Sequence, residues 1–360
     1  MSRFGLLLIS SIAAIVGIFI APMRSTLSQQ VTTKSSGAVD RRHPDVEQAA
    51  NSGFAFAKDS KLEVLSDTGQ GGEGPAWDPE WGIISTGSGG IHRRALDGTQ
   101  SLLRKDAGTN GLLFDPRGRL IACEPKQRRV TRMQRDGKLE VLTGGYDGKP
   151  YNQPNDLTLD LRGRIYFSDA CYGGPQNIRQ RTTDGRSIEG VYRIDSAGKV
   201  ERVLGADDVE RANGVLVSAN DKYLFVADNC NDRLGGARKL WRFRLRDDGT
   251  VDRDSRTLLY DWQEGRGPDG IKQDVAGNLY VAGGTTVAKP PYEPDNSRPG
   301  GIYVIHPESG KLLDFIAVPT DEVTNCAFGG ADGRDLYITG GGTLYRVRTN
   351  IAGRVVWPRH

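Results

Sequence analysis

Glu73-Gly74-Pro75-Ala76-Trp77 is the first of six stretches in this 360-residue chain that set an acid or amide directly before an apolar segment. The other five are Asn110-Gly111-Leu112-Leu113-Phe114-Asp115, Asn155-Asp156-Leu157-Thr158-Leu159-Asp160, Asn213-Gly214-Val215-Leu216-Val217, Asp269-Gly270-Ile271-Lys272-Gln273-Asp274 and Asn325-Cys326-Ala327-Phe328-Gly329. Most turn through Asp or Gly into a second apolar segment. Asn155 to Asp160, for example, passes through Leu161-Arg162-Gly163-Arg164 into Ile165-Tyr166-Phe167-Ser168-Asp169, with later strands at Gly190 to Asp195 and Val200 to Leu204. The leading positions recur every roughly 40 to 60 residues, the period of propeller blades, and four short strands make one blade. This pattern predicts an all-β fold, a six-bladed β-propeller spanning residues 61–350. The sixth unit is one strand short, whereas Leu62-Glu63-Val64-Leu65 precedes the first unit with no blade of its own. That amino-terminal strand is expected to complete the last blade, so that the ring closes without exposed edges.

Composition agrees with many short strands: 47 Gly, 17 Pro and 37% hydrophobic residues, with no long apolar segment of helical period in the body. The 48 basic and 45 acidic residues are intermingled and leave a net charge of only +3, so no basic stripe suits nucleic acid. The amino terminus differs. Arg3 precedes an uncharged apolar run from Phe4 to Met23, and the next charge is Arg24. This is the arrangement of an export signal or an amino-terminal membrane anchor over residues 1–28, with Thr26-Leu27-Ser28 as the nearest small-x-small site. The expected location is the periplasm or the outside of the cell, with attachment to a membrane through residues 4–23 if the segment is kept. Residues 29–60, polar and aperiodic, read as a flexible tether, and residues 351–360 as a carboxyl-terminal tail.

Propeller geometry turns the repeats into chemistry. Inner strands run beside a central channel, so Glu73, Asn110, Asn155, Asn213, Asp269 and Asn325 should form a ring around it. Every member carries a side-chain oxygen, and two carboxylates among four amides suit one hard dication, Ca²⁺ first, with Zn²⁺ or Mn²⁺ as alternatives. The plainer account is that channels are wet and tolerate polar residues. A metal that polarises a carbonyl needs one carboxylate to handle the proton of an attacking water, and Asp269 or Asp156 could serve. Glu73 has the longest arm and is expected to bind metal directly, while Asn110 and Asn325 hold water or substrate.

Together, Glu73-Gly74-Pro75-Ala76-Trp77, Pro154-Asn155-Asp156-Leu157, Asn213-Gly214, Pro268-Asp269-Gly270 and Thr324 to Gly330 resemble the gluconolactonase, regucalcin (senescence marker protein) and luciferin-regenerating enzyme family, in the correct order over residues 61–348. The resemblance implies a six-bladed propeller holding one divalent metal, usually calcium or zinc, and in many members the hydrolysis of sugar or other lactones. By motif it makes Glu73, Asn213 and Asp269 direct metal ligands, Asn155 a contact to metal or substrate, and Asp269 also the acid/base. Members acting on aldonolactones often carry Arg two residues before the motif Asn. Gln153 stands there in this chain, which puts sugar-acid specificity in doubt. Tyr151, Tyr172 and Arg266 are the nearby candidates for substrate contact.

Other hydrolytic machinery is missing. There is no Gly-x-Ser-x-Gly elbow, Gly87-Ser88-Gly89-Gly90-Ile91-His92 fails the dinucleotide fingerprint, and His43, His92, His306 and His360 lack metal-pair spacing. Cys171 and Cys230, at similar places in adjacent blades, are the best-placed pair for a disulfide in an exported protein. The alternative to a metal-dependent lactonase is a non-catalytic propeller with structural calcium and a face for a protein or glycan. Asp156, an acid that metal coordination alone does not require, favours the enzyme. A metal-free propeller similar to strictosidine synthase fits the oxygen-bearing ring less well.

Overall fold

The computed structural model describes residues 42–50 and 52–355; the predicted signal or anchor lies outside them. Among the described residues, six four-stranded antiparallel sheets follow one another along the chain. Their inner strands are Glu73–Asp78, Leu112–Phe114, Gln153–Leu159, Ala212–Val217, Pro268–Gln273 and Val323–Gly329. The architecture is the six-bladed β-propeller that the repeat predicts. The sixth sheet joins Val323–Gly329, Asp335–Gly340 and Gly342–Arg348 to Glu63–Gly71, which lies outermost and pairs antiparallel with Gly342–Arg348.

The repeated Asp of each turn has a local cause. Asp115, Asp160 and Asp274 each accept main-chain N–H groups of the turn that follows: Arg117 and Arg119 at 2.9 and 3.0 Å, Arg162 and Arg164 at 2.9 Å each, Ala276 and Asn278 at 2.9 and 2.8 Å. These bonds satisfy the donors that a tight turn strips from the ladder.

Apolar side chains fill the space between neighbouring sheets. Tyr166 and Val191 of the third sheet pack with Val215, Leu224, Val226 and Phe243 of the fourth, and Phe225 and Leu240 of the fourth with Ile271, Val281 and Tyr303 of the fifth. Truncating the fully buried Phe225 to Ala should destabilise the protein by about 3–5 kcal/mol, read as a lowered urea midpoint at unchanged slope.

Two segments depart from expectation. The tether predicted over residues 29–60 is, in its described part, bound to the propeller. Pro44–Ala49 is a helix that buries Val46 and Ala49 against the fifth sheet's core, and Ala55 and Phe56 enter the next cluster. Buried Asp314 accepts the N–H groups of Ala55 and Phe56 at 2.7 and 3.0 Å, and Asp45 accepts the Tyr260 hydroxyl at 2.7 Å. A six-residue helix is too short to show a period, and its partners lie more than two hundred positions away. The predicted tail is also anchored over Ile351 to Val355. Gly353 pairs with Asp274, while Arg354 donates its main-chain N–H to Gln273 O at 2.8 Å and Nη1 to Val217 O at 3.0 Å.

Candidate active site

Asn155, Asn213 and Asp269 do not sit in regular ladder, whereas Glu73 and Asn325 pair with Thr86 and Thr339. In the inner strands the register slips between Glu73 and Ala76, Pro154 and Leu157, Ala212 and Val215, and Pro268 and Ile271. A bulge breaks the alternation of a strand and re-aims the side chain it carries. Asn155, Asn213 and Asp269 lie inside such slips, at the channel mouth where the second strand ends. The Gly that follows a ring residue is there for space. A Cβ on Gly214 would stand 2.0 Å from Asp269 O, and one on Gly270 would stand 2.1 Å from the Asn325 side chain. Gly270→Ala should therefore displace Asn325 and lower both stability and ligand affinity, measured by thermal unfolding and titration; an unchanged variant would mean that the two inner strands can part freely.

Glu73, Asp156 and Asp269 come close enough for their charges to matter. Burial pushes the Glu73 carboxyl up to about 7, helped by the Asp156 charge and opposed by the N–H of Gly74, which reaches Oε2 at 2.9 Å. Burial also raises Asp269 well above the carboxylate range, the Glu73 charge adds to this, and Arg266 works against it. Two buried, mutually repelling carboxylates are stable as anions only beside a positive charge. Three side-chain oxygens around the mouth, Asn110 Oδ1, Asn213 Oδ1 and Asp269 Oδ1, are buried without a hydrogen-bond partner among the described residues. Unpartnered buried oxygens cost about 1–3 kcal/mol each, which a hard cation would offset. The donors present thus fit one dication. Among the described residues no three His, Cys, Asp or Glu side chains form a metal cluster, and only two of the six ring donors are carboxylates.

The remaining predicted residues divide by what they touch. Asn155 is buried in its bulge. Asn325 is fully engaged: Oδ1 accepts Lys272 Nζ at 3.1 Å and Cys326 N–H at 2.9 Å, and Nδ2 reaches Asp156 Oδ2 at 3.4 Å. Asp156 also accepts the Leu157 N–H at Oδ1, 2.9 Å away. Arg266 is buried among three acids, with Nη2 at 2.9 Å from Glu322 and 3.5 Å from Asp269 and Nη1 at 3.4 Å from Glu293. Tyr172 accepts the Asn213 amide Nδ2 at 2.8 Å, and its outer side borders an open cleft of about 570 Å³ that also meets Lys289, Tyr292 and Glu293.

Some expectations are corrected. Tyr151 is no substrate contact: it is fully buried, bonds Thr143 at 2.9 Å and packs edge-on to Phe167 and Tyr192. Cys171 and Cys230 are free and buried, like Cys123 and Cys326. Cys171 Sγ turns to Gly174 O at 3.3 Å and Cys230 Sγ to Asp232 at 3.8 Å, so the two thiols have separate partners. Lys272, Glu293 and Glu322 join the site without having been predicted. Lys272 lies inside a quoted motif, but strict alternation puts it opposite Asp269; only the bulge brings its ammonium to the ring. The two acids sit in loops with no sequence signal. The lower channel is lined by Trp77, Phe114, Leu159 and Phe328 together with the polar Thr158, Lys272, Gln273 and Arg354.

The comparisons with known proteins agree with this geometry. Residues 71–342 match the SMP-30/Gluconolactonase/LRE-like region family. The gluconolactonase of Zymomonas mobilis is 27% identical over 321 residues, covering 81% of this chain and 82% of its own. The 6-deoxy-6-sulfogluconolactonase of Pseudomonas putida is 27% identical over 279 residues, or 74% of this chain and 82% of its own. A gluconolactonase structure from Xanthomonas campestris superposes with a TM-score of 0.65 at 28% identity, covering 81% of this chain and 90% of its own. A match of this extent, on a six-bladed ring with the motifs in order, places the chain in the SMP-30/gluconolactonase/LRE-like family.

Proposed function

We propose that this protein is a lactonase that opens a small-molecule lactone with the help of one divalent cation held by Glu73, Asn213 and Asp269, with Asn110 and Asn155 beside them. The single observation that carries the cation is the set of unpartnered buried oxygens on Asn110, Asn213 and Asp269 around two repelling acids. The lactonases among its relatives support the substrate class. When bound, the cation polarises the lactone carbonyl and offsets the charge that develops on its oxygen.

The chain's own residues do the rest. Asp269 Oδ1 faces the cation, and Oδ2 accepts only one long hydrogen bond, from Arg266 at 3.5 Å, so Oδ2 is the atom able to take a proton from the attacking water. Water adds to the carbonyl carbon, the ring C–O bond breaks, and Asp269 returns the proton to the departing alkoxide to leave a hydroxy acid. Asp156 is less suited to this step, because both of its oxygens accept hydrogen bonds. It orients Asn325 instead. Arg266, tied to Glu293 and Glu322, fixes the Asp269 carboxylate rather than the substrate.

The purified full chain should hydrolyse members of a γ- and δ-lactone panel with Ca²⁺, Zn²⁺ or Mn²⁺, and lose that activity to a chelator. Turnover that survives chelation would sink the cation's role. Tight cation binding without turnover on any lactone would favour a non-catalytic propeller.

A further inference from the structure

Asn213 can serve a cation only through its oxygen, yet an amide side chain is nearly symmetric in shape and nothing covalent decides which end faces the channel. The structure supplies the decision from outside the ring. The Tyr172 hydroxyl has one proton, directed at the main-chain oxygen of Asn229 at 3.4 Å. Its oxygen is then left to accept, and Asn213 Nδ2 donates to it at 2.8 Å. With the NH₂ end committed, Oδ1 is the end left without a partner among the described residues.

Tyr172 is itself held on two sides. Its ring lies 5.1 Å from the Arg211 guanidinium, which Glu189 and Asp232 fix at 2.7 and 2.8 Å. The main-chain N–H groups of Tyr172 and Gly173 both donate to Gln153 Oε1, at 2.9 and 3.1 Å. Gln153 thus uses its acceptor on the loop. A cation at position 153 would offer these two N–H groups nothing but further donors.

We infer that Gln153 and Tyr172 are positioning residues that present the Asn213 oxygen to the divalent cation. This rests on the reading that the ring holds such a cation. Partners that orient a ligand are worth about 10- to 100-fold in metal affinity. Tyr172→Phe removes the hydroxyl and keeps the ring beside Arg211, so Asn213 becomes free to turn.

The test is calorimetric titration of the full chain, stripped with a chelator, with CaCl₂, ZnCl₂ and MnCl₂. The wild type should bind one equivalent. Tyr172→Phe should bind about 10-fold or more weakly, with its melting temperature in chelator unchanged, and Gln153→Met should weaken binding in the same direction. If Tyr172→Phe melts lower in chelator, Gln153→Met, which leaves the phenol intact, decides the matter by its affinity alone. Wild-type affinity in the folded variants overturns the positioning role, and so does a variant that loses only substrate KM. Absence of binding by the wild type to all three cations overturns the cation reading itself, and the positioning role with it.

Discussion

Asp269→Asn is expected to lower kcat/KM for lactone hydrolysis by at least ~10³-fold while leaving the chelated protein no less stable than the wild type. The loss follows from position. Asp269 Oδ1 faces the cation and Oδ2 has only a 3.5 Å hydrogen bond from Arg266, whereas Asp156 has both oxygens engaged by main-chain and Asn325 donors. The stability side has the opposite sign. In the chelated protein Asp269 is a buried acid raised by burial and by the Glu73 charge, and an amide of the same shape removes that repulsion. Arg266 keeps Glu322 and Glu293 as partners, so no buried cation is stranded. The check is steady-state kinetics paired with thermal unfolding in chelator. A variant that keeps a tenth of wild-type activity would move the acid/base role elsewhere; one that unfolds early would mean that Asp269 holds the fold.

Addition of the preferred cation should raise the melting temperature by roughly 5–10 °C, and Glu73→Gln should abolish most of that gain. A ligand that binds only the folded state at about 1,000 times its Kd contributes about 4 kcal/mol. In a domain of this size each kcal/mol moves the midpoint by roughly 2 °C. Glu73 belongs to this prediction because its part-buried carboxyl is desolvated in the ring, is raised to about 7 and feels the charge of Asp156. Removing its charge lowers the pull on the cation and also relieves the acids in the cation's absence. The two curves, with and without cation, should therefore converge in Glu73→Gln. Differential scanning fluorimetry with a chelator as reference separates them. An equal shift in wild type and variant would place the cation away from Glu73.

Much of this site could be read before any coordinates. The period of the six stretches implied the blades, and equivalent places in the blades implied a ring, because symmetry about a channel converts spacing into proximity. The six ring positions followed from that, and the choice of Glu73, Asn213 and Asp269 as metal ligands came with the family resemblance. Asn325 was expected in the ring and Asp156 as a possible acid/base, but the hydrogen bond between them leaves no trace in spacing. Tyr151 was misread because a Tyr beside the motif looks the same whether its hydroxyl meets substrate or Thr143.

What the sequence determined by itself was the repeating part of the protein: strand period, the Asp or Gly turns, Gly214 and Gly270 behind their ring residues, and the six oxygen-bearing positions. Each of these is set by contacts within a blade or between equivalent places in successive blades, so each recurs and can be counted. The tertiary structure alone decided what breaks the repeat. Bulges swap the parity that brings Lys272 beside Asn325, loops deliver Glu293 and Glu322 to Arg266, and Tyr172 turns the Asn213 amide. Such contacts join residues far apart in the chain through non-repeating loops, where no period exists to announce them.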